Sequence, residues 1–99
     1  MIKNGMRPVH PGEILREDYL APLGLSVNAL ALALHIPATR LHEIVKERRG
    51  VSPDTALRLA RYFDCSAQFW MNLQTAYDLK IAEQQAGSSI IEKISPRAA

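Results

Sequence analysis

Cysteine is almost missing from this 99-residue chain: Cys65 stands alone. A single thiol excludes an intramolecular disulfide and any multi-cysteine metal framework, and a reducing compartment suits it best. Five Gly and six Pro are too few for a collagen-like or low-complexity chain. No apolar run approaches the roughly 18 to 20 residues of a membrane span. Residues 1–6 carry Lys3 but no apolar stretch or small-residue cleavage site after it, so no secretory signal is expected and the cytoplasm is the expected location. Excess charge of one sign is lacking too. Twelve Lys and Arg against ten Asp and Glu leave +2, too mild to argue a nucleic-acid partner from total charge, which is usually read from a domain pI above about 9. What is present, 47% hydrophobic and 22% charged residues, describes one small globular domain with no room for a second. Its core is modest, and self-association would add to its stability.

Pro, Gly and small hydroxyl residues cut the chain into five segments whose apolar positions recur at helical spacing, which predicts an all-α fold. The first helix is expected from about Pro11 to Leu20. It opens at His10-Pro11-Gly12-Glu13, with Pro11 at the first helical position, Glu13 placed to reach back as a capping carboxylate, and Val9 and Ile14 as a hydrophobic staple. Pro22 and Gly24 are expected to stop it. Ser26 is the candidate cap of a second helix, in which Val27, Leu30, Ala31 and Leu34 form one stripe. His35-Ile36-Pro37 breaks that helix, and a third restarts near Ala38 with Leu41, Ile44 and Val45 inward. Gly50 ends this region. Ser52-Pro53-Asp54 is a strong fourth start, and Ser66 caps a last helix expected over about residues 67–85. The expected division is an amino-terminal arm (1–9), a helical domain (10–86) and a loose carboxy-terminal tail (87–99).

Two short helices joined by a three-residue turn, Val27 to Lys46, have the helix-turn-helix plan that places one helix in the major groove. The window Arg40 to Arg61 supports this independently. It holds six basic residues (Arg40, Lys46, Arg48, Arg49, Arg58, Arg61) and three acidic ones (Glu43, Glu47, Asp54), a local +3 against −1 for the rest of the chain. Lys46, Arg48 and Arg49, at the end of the third helix and in the loop beyond, are candidate phosphate contacts, joined by Ser26 and Asn28 at the start of the second. Ala38, Thr39, His42 and Glu43 form the candidate base-reading face, with Arg40 at its margin. Ala38 and the Thr39 methyl suit a thymine methyl, Glu43 a cytosine amino group, and a long cation the guanine edge.

Enzymatic readings find no complete set of residues. His10 and Glu13 are explained by helix initiation, and His42-Glu43 lacks the second histidine of a zinc-binding helix, so no metal or other cofactor is expected. Cys65 follows Asp64 and has no evident basic activator, and Ser26, Ser52 and Ser66 are all explained as caps. The rival to DNA binding is a helical protein-interaction module, which accounts for the apolar last helix but not for the cations after the third.

The runs His10-Pro11-Gly12-Glu13-Ile14-Leu15, Val51-Ser52-Pro53-Asp54-Thr55-Ala56-Leu57-Arg58-Leu59-Ala60 and Phe69-Trp70-Met71-Asn72-Leu73-Gln74, with Tyr77-Asp78-Leu79, flank the helix pair. Together they resemble the HigA antitoxins, members of the Xre-like, lambda-repressor-type helix-turn-helix group, over about residues 7–82. The resemblance implies a five-helix lambda-repressor-like bundle. It also implies a homodimer that represses its own toxin-antitoxin operon at an inverted repeat and neutralises a HigB-like toxin, a RelE-like mRNA endonuclease. A stand-alone Xre-type repressor is the alternative within the group. The arm, the first helix and the tail are all candidates for toxin contact. Two positions depart from the pattern. His35 stands where the group usually has glycine for a positive φ, and Val27 where a phosphate-binding glutamine is common. In the last helix Phe69 and Leu73 are expected in the core, and Trp70 and Tyr77 at a subunit interface, where aromatics are enriched.

Overall fold

The computed structural model describes residues 7–98, so residues 1–6 of the expected arm lie outside the described residues. Among the described residues the chain forms five helices and no strand: α1 (residues 11–23), α2 (Val27–Leu34), α3 (Ala38–Val45), α4 (Pro53–Phe63) and α5 (Ala67–Lys93). This is the five-helix bundle expected from the periodicity.

α1 begins as expected at Pro11, but its cap is the imidazole of His10, whose Nδ1 accepts the Gly12 N–H at 2.8 Å. Glu13 does not reach back. Its carboxylate instead receives both terminal nitrogens of Arg7, each at 2.7 Å. The helix also runs further than Leu20. Leu15–Leu20 form a widened π-type stretch, in which Ala21 N–H donates to the Arg16 carbonyl five residues back, and a last turn, Ala21–Leu23, follows. Pro22 has no N–H and would crowd the carbonyl four residues before it in a regular helix. The widened stretch immediately before it lets the chain continue.

Four of the five helices end in the same motif. Gly24, His35, Glu47 and Asp64 all have positive φ (60°, 59°, 64° and 54°). In each case the next residue's N–H reaches the carbonyl five residues back: Leu25 to Leu20, Ile36 to Ala31, Arg48 to Glu43, Cys65 to Ala60. At Gly24, His35 and Glu47 the residue's own N–H adds a second bond to the carbonyl three back, the double-bonded left-handed cap that normally selects glycine, whereas the Asp64 N–H shares the Ala60 carbonyl. Three of the four positions are filled by other residues, and His35 takes the conformation expected of it.

α2 and α3 rest on a core of fully buried Leu15, Leu30, Leu41, Ile44, Leu59 and Trp70. Trp70 therefore belongs to the core and not to an exposed subunit surface, and the ring of Tyr19 lies 5.3 Å from it. Phe69 is the residue at the surface, 37% exposed, packing edge-on against Trp70 at 5.1 Å. Neighbouring helix positions differ by about 100°, so the two assignments exchange. Leu73 is half-buried, as is Tyr77, which meets the His10 ring edge-on at 4.8 Å.

α5 does not end near Gln85. It continues through Gly87 to Lys93, which replaces the start of the expected tail by helix. Its 27 residues span about 40 Å at 1.5 Å per residue. They account for the long axis of a molecule measuring 53 × 25 × 24 Å.

Candidate nucleic-acid interface

The crossing of α2 and α3 is built from the residues the sequence assigned to it. Leu30, Ala31, Leu34, Ile36, Leu41 and Ile44 are all buried, and the small Ala31 lets the helices approach. With that side turned inward, Thr39 is exposed, while Ala38, Arg40, His42 and Glu43 are half-buried on the outer side. Lys46, Arg48 and Arg49 are exposed at the end of α3 and beyond. The candidate base-reading and phosphate residues thus share one end of the molecule.

Several of them are already engaged. Ser26 Oγ accepts the Ala29 N–H at 3.0 Å, which caps α2 and leaves the hydroxyl hydrogen available to an anion. Asn28 Oδ1 lies 3.0 Å from His42 Nε2, a bridge between α2 and α3. With the imidazole donating, the Asn28 amino group is left as donor. Glu43 receives Arg49 Nε at 2.9 Å, so one candidate base reader is paired with one candidate phosphate contact. Lys46 and Arg48 have no ion pair among the described residues.

Three features that hold this surface were not legible in the sequence. The Arg16 side chain reaches from α1 to the Val45 carbonyl at the end of α3, and its other nitrogens lie near Glu17 (3.0 Å) and Glu47 (3.4 Å). Arg58 does the same for α2, donating to the carbonyls of Leu34 (2.9 Å) and His35 (3.2 Å) while holding Asp54 at 2.9 Å. Each guanidinium sits at the negative end of a helix dipole and satisfies carbonyls the helix leaves open. Arg58 is therefore a structural cap rather than part of the DNA-facing charge. Gly12 is the third. A Cβ there would lie 1.8 Å from the Ile44 carbonyl oxygen, so α1 and α3 touch backbone to backbone. Partners 29 or 32 positions apart leave no spacing signal. Gly50, which closes this region as expected, also has a packing task. A Cβ at Gly50 would lie 2.9 Å from the Gln74 amide, and Gln74 Oε1 accepts the Val51 N–H at 2.7 Å, fixing the loop between α3 and α4.

Among the described residues no cluster of His, Cys, Asp and Glu is placed to hold a metal ion, and no helix is long and apolar enough to cross a membrane.

A family model described as helix-turn-helix matches residues 15–70, which span α2 and α3 and the helices that carry them. Virulence-associated protein I of Dichelobacter nodosus is 63% identical over 86 residues, covering 87% of this chain and 80% of that protein. Antitoxin HigA-1 of Vibrio cholerae is 33% identical over 79 residues, 80% of this chain and 74% of that protein. The solved structure of the Pseudomonas aeruginosa antitoxin HigA with the higBA promoter matches at 51% identity and a TM-score of 0.91, over 93% of this chain and 100% of that one. By sequence and by fold, the chain belongs to the helix-turn-helix family, as a non-enzymatic DNA-binding protein of the HigA antitoxin type.

Proposed function

We propose that this chain is the antitoxin of a HigBA-like pair: a homodimer that binds an inverted repeat in its own promoter, represses the operon, and neutralises a RelE-like mRNA-cleaving toxin. The observation that carries the reading is the match, across 93% of the chain, to a relative solved with the higBA promoter. The outward face of α3 supports it. Ala38 and Thr39 stand at the amino end of α3, where small apolar groups suit thymine methyls, and Glu43, His42 and Arg40 follow within one turn. Ser26 and Asn28 at the start of α2, and Lys46, Arg48 and Arg49 after α3, flank that face as phosphate contacts. Glu43 must exchange Arg49 for a base to read cytosine. That exchange frees Arg49 for the backbone at the same moment, so one contact prepares the other.

The test has two arms. A gel-shift on the protein's own promoter at several salt concentrations should show specific retardation, and its absence at every salt removes the repressor function. Co-expression should restore growth to cells making a RelE-like toxin encoded beside this gene, and the lack of such a neighbour counts against the antitoxin role. Retardation without rescue reduces the protein to a stand-alone repressor.

A further inference from the structure

Asn28 and His42 join the two helices of the DNA-binding pair where the phosphate-facing and base-facing candidates meet. Asn28 stands exposed in the first turn of α2, and His42 stands half-buried in the middle of α3. Their contact, Asn28 Oδ1 to His42 Nε2 at 3.0 Å, ties the chemical state of one to the orientation of the other. An amide oxygen only accepts, so Nε2 must carry the hydrogen. In a neutral imidazole Nδ1 is then a bare acceptor. The amide turned over would donate to Nε2, move the hydrogen to Nδ1 and make that atom a donor.

The surroundings favour the first state. Ser26 Oγ takes the Ala29 N–H, which leaves the earlier N–H groups of α2 and its positive dipole end to an anion. A phosphate there accepts hydrogen bonds and gives none, so the Asn28 amide turns its amino group toward it and its oxygen toward His42. His42 Nδ1 has no hydrogen-bond partner among the described residues. It is open to solvent, since Trp70 Nε1 is the one buried side-chain N or O atom without a partner among them. We infer that Asn28 is the positioning residue of a relay from DNA phosphate to base edge: it holds His42 in the Nε2–H tautomer, and His42 Nδ1 accepts from an exocyclic amino group in the major groove. Adenine N6 and cytosine N4 supply that donor, whereas guanine and thymine offer none there. The inference rests on the operator-binding reading above and names the base edge that His42 takes.

Two measurements test it. In 15N NMR of the full-length protein at pH 8, where the two neutral tautomers give distinct nitrogen shifts, His42 should show Nε2 protonated and Nδ1 bare; a protonated Nδ1 overturns the inference. Duplexes of the protein's own promoter are then made with one amino group deleted at a time, adenine replaced by purine or cytosine by 2-pyrimidinone. One deletion should weaken wild-type binding about threefold to tenfold, the worth of one neutral hydrogen bond, and its identity tells adenine from cytosine. His42→Ala should bind the unmodified promoter more weakly by the same factor and lose the penalty for that deletion. Asn28→Ala should weaken binding to promoter and random DNA alike and also shrink that penalty, although Asn28 does not touch the base. A residue that held phosphate alone would leave the penalty unchanged, and that result overturns the relay. If the wild type retards no promoter duplex, the DNA-reading function falls together with this inference. If it binds the promoter specifically and His42→Ala relieves no deletion, the repressor stands and the inference alone falls.

Discussion

Gly12 and Arg16, one turn apart on α1, fix the end of α3, the helix proposed to read DNA. A methyl group at Gly12 would overlap the Ile44 carbonyl, and backbone cannot swing aside as a side chain can. Gly12→Ala should therefore cost at least the about 1–3 kcal/mol typical of overpacking, measured as a fall in urea stability, and weaken operator binding by displacing α3. Unchanged stability and binding would mean the two helices are not in contact. Arg16→Met keeps the stem but leaves the Val45 carbonyl unpaired. Because that bond is only part-buried, its expected cost is about 0.5–1.5 kcal/mol, the net worth of an ordinary hydrogen bond, read from thermal or urea unfolding. His10 adds a pH dependence. Its Nδ1 accepts the Gly12 N–H, which only a neutral imidazole can do, and burial pushes its pKa below the ordinary value, against the weaker opposing pull of Glu47 and Asp78. The unfolded chain takes up the proton near pH 6.5 while the folded one resists it. The stability is therefore complete above that pH and lost below it, by up to about 1.4 kcal/mol per unit until the folded His10 also protonates. Urea midpoints between pH 8 and 5 should show this slope, and His10→Asn, which can still cap, should flatten it. An equal slope in both proteins would assign the pH dependence elsewhere.

At the level of helices, starts were legible and ends were not. Pro11, Ser26, Ser52 and Ser66 announce their helices by local chemistry, and all four caps or first positions are where the sequence put them. Helix ends depend on distant groups. α1 passes Pro22 because a widened stretch absorbs it, and α5 passes Gly87, where no local signal decides between helix and coil. Likewise α3 stops at Glu47, a residue with no special preference for positive φ. Arg16, 31 positions away, reaches that turn and its carboxylate. Left-handed backbone costs an ordinary residue roughly 1–2 kcal/mol, so His35→Gly, whose φ is 59°, should stabilise the fold by up to about 1 kcal/mol after the extra chain entropy of glycine is subtracted. A loss of stability would show that the His35 side chain contributes more than its backbone strain removes. The exchanged roles of Phe69 and Trp70 have the same origin. Two large aromatics side by side both suit a core, and the one that turns inward is Trp70, which packs against Tyr19 of α1.

For the whole molecule, the mild net charge conceals a division of labour among the cations. Arg16 and Arg58 cap the two helices of the DNA-binding pair, Arg49 balances Glu43, and Lys46 and Arg48 are left exposed beside α3. Sequence alone could count the basic residues near the helix pair. It could not separate those consumed by the fold from those available to phosphate, because that sorting is done by contacts 24 to 31 residues apart. The central claim is that α3 reads sequence while the cations after it hold the backbone, and salt dependence of binding separates these roles. Operator and random duplexes are titrated against the wild type, Lys46→Ala, Arg48→Ala, Thr39→Ala and Glu43→Ala across a range of salt. Each lost phosphate contact should lower the slope of log K against log salt by about 0.9 on both duplexes. The Thr39 and Glu43 changes should leave the slope alone and narrow the gap between operator and random DNA. Equal losses on both duplexes from all four substitutions would contradict the account.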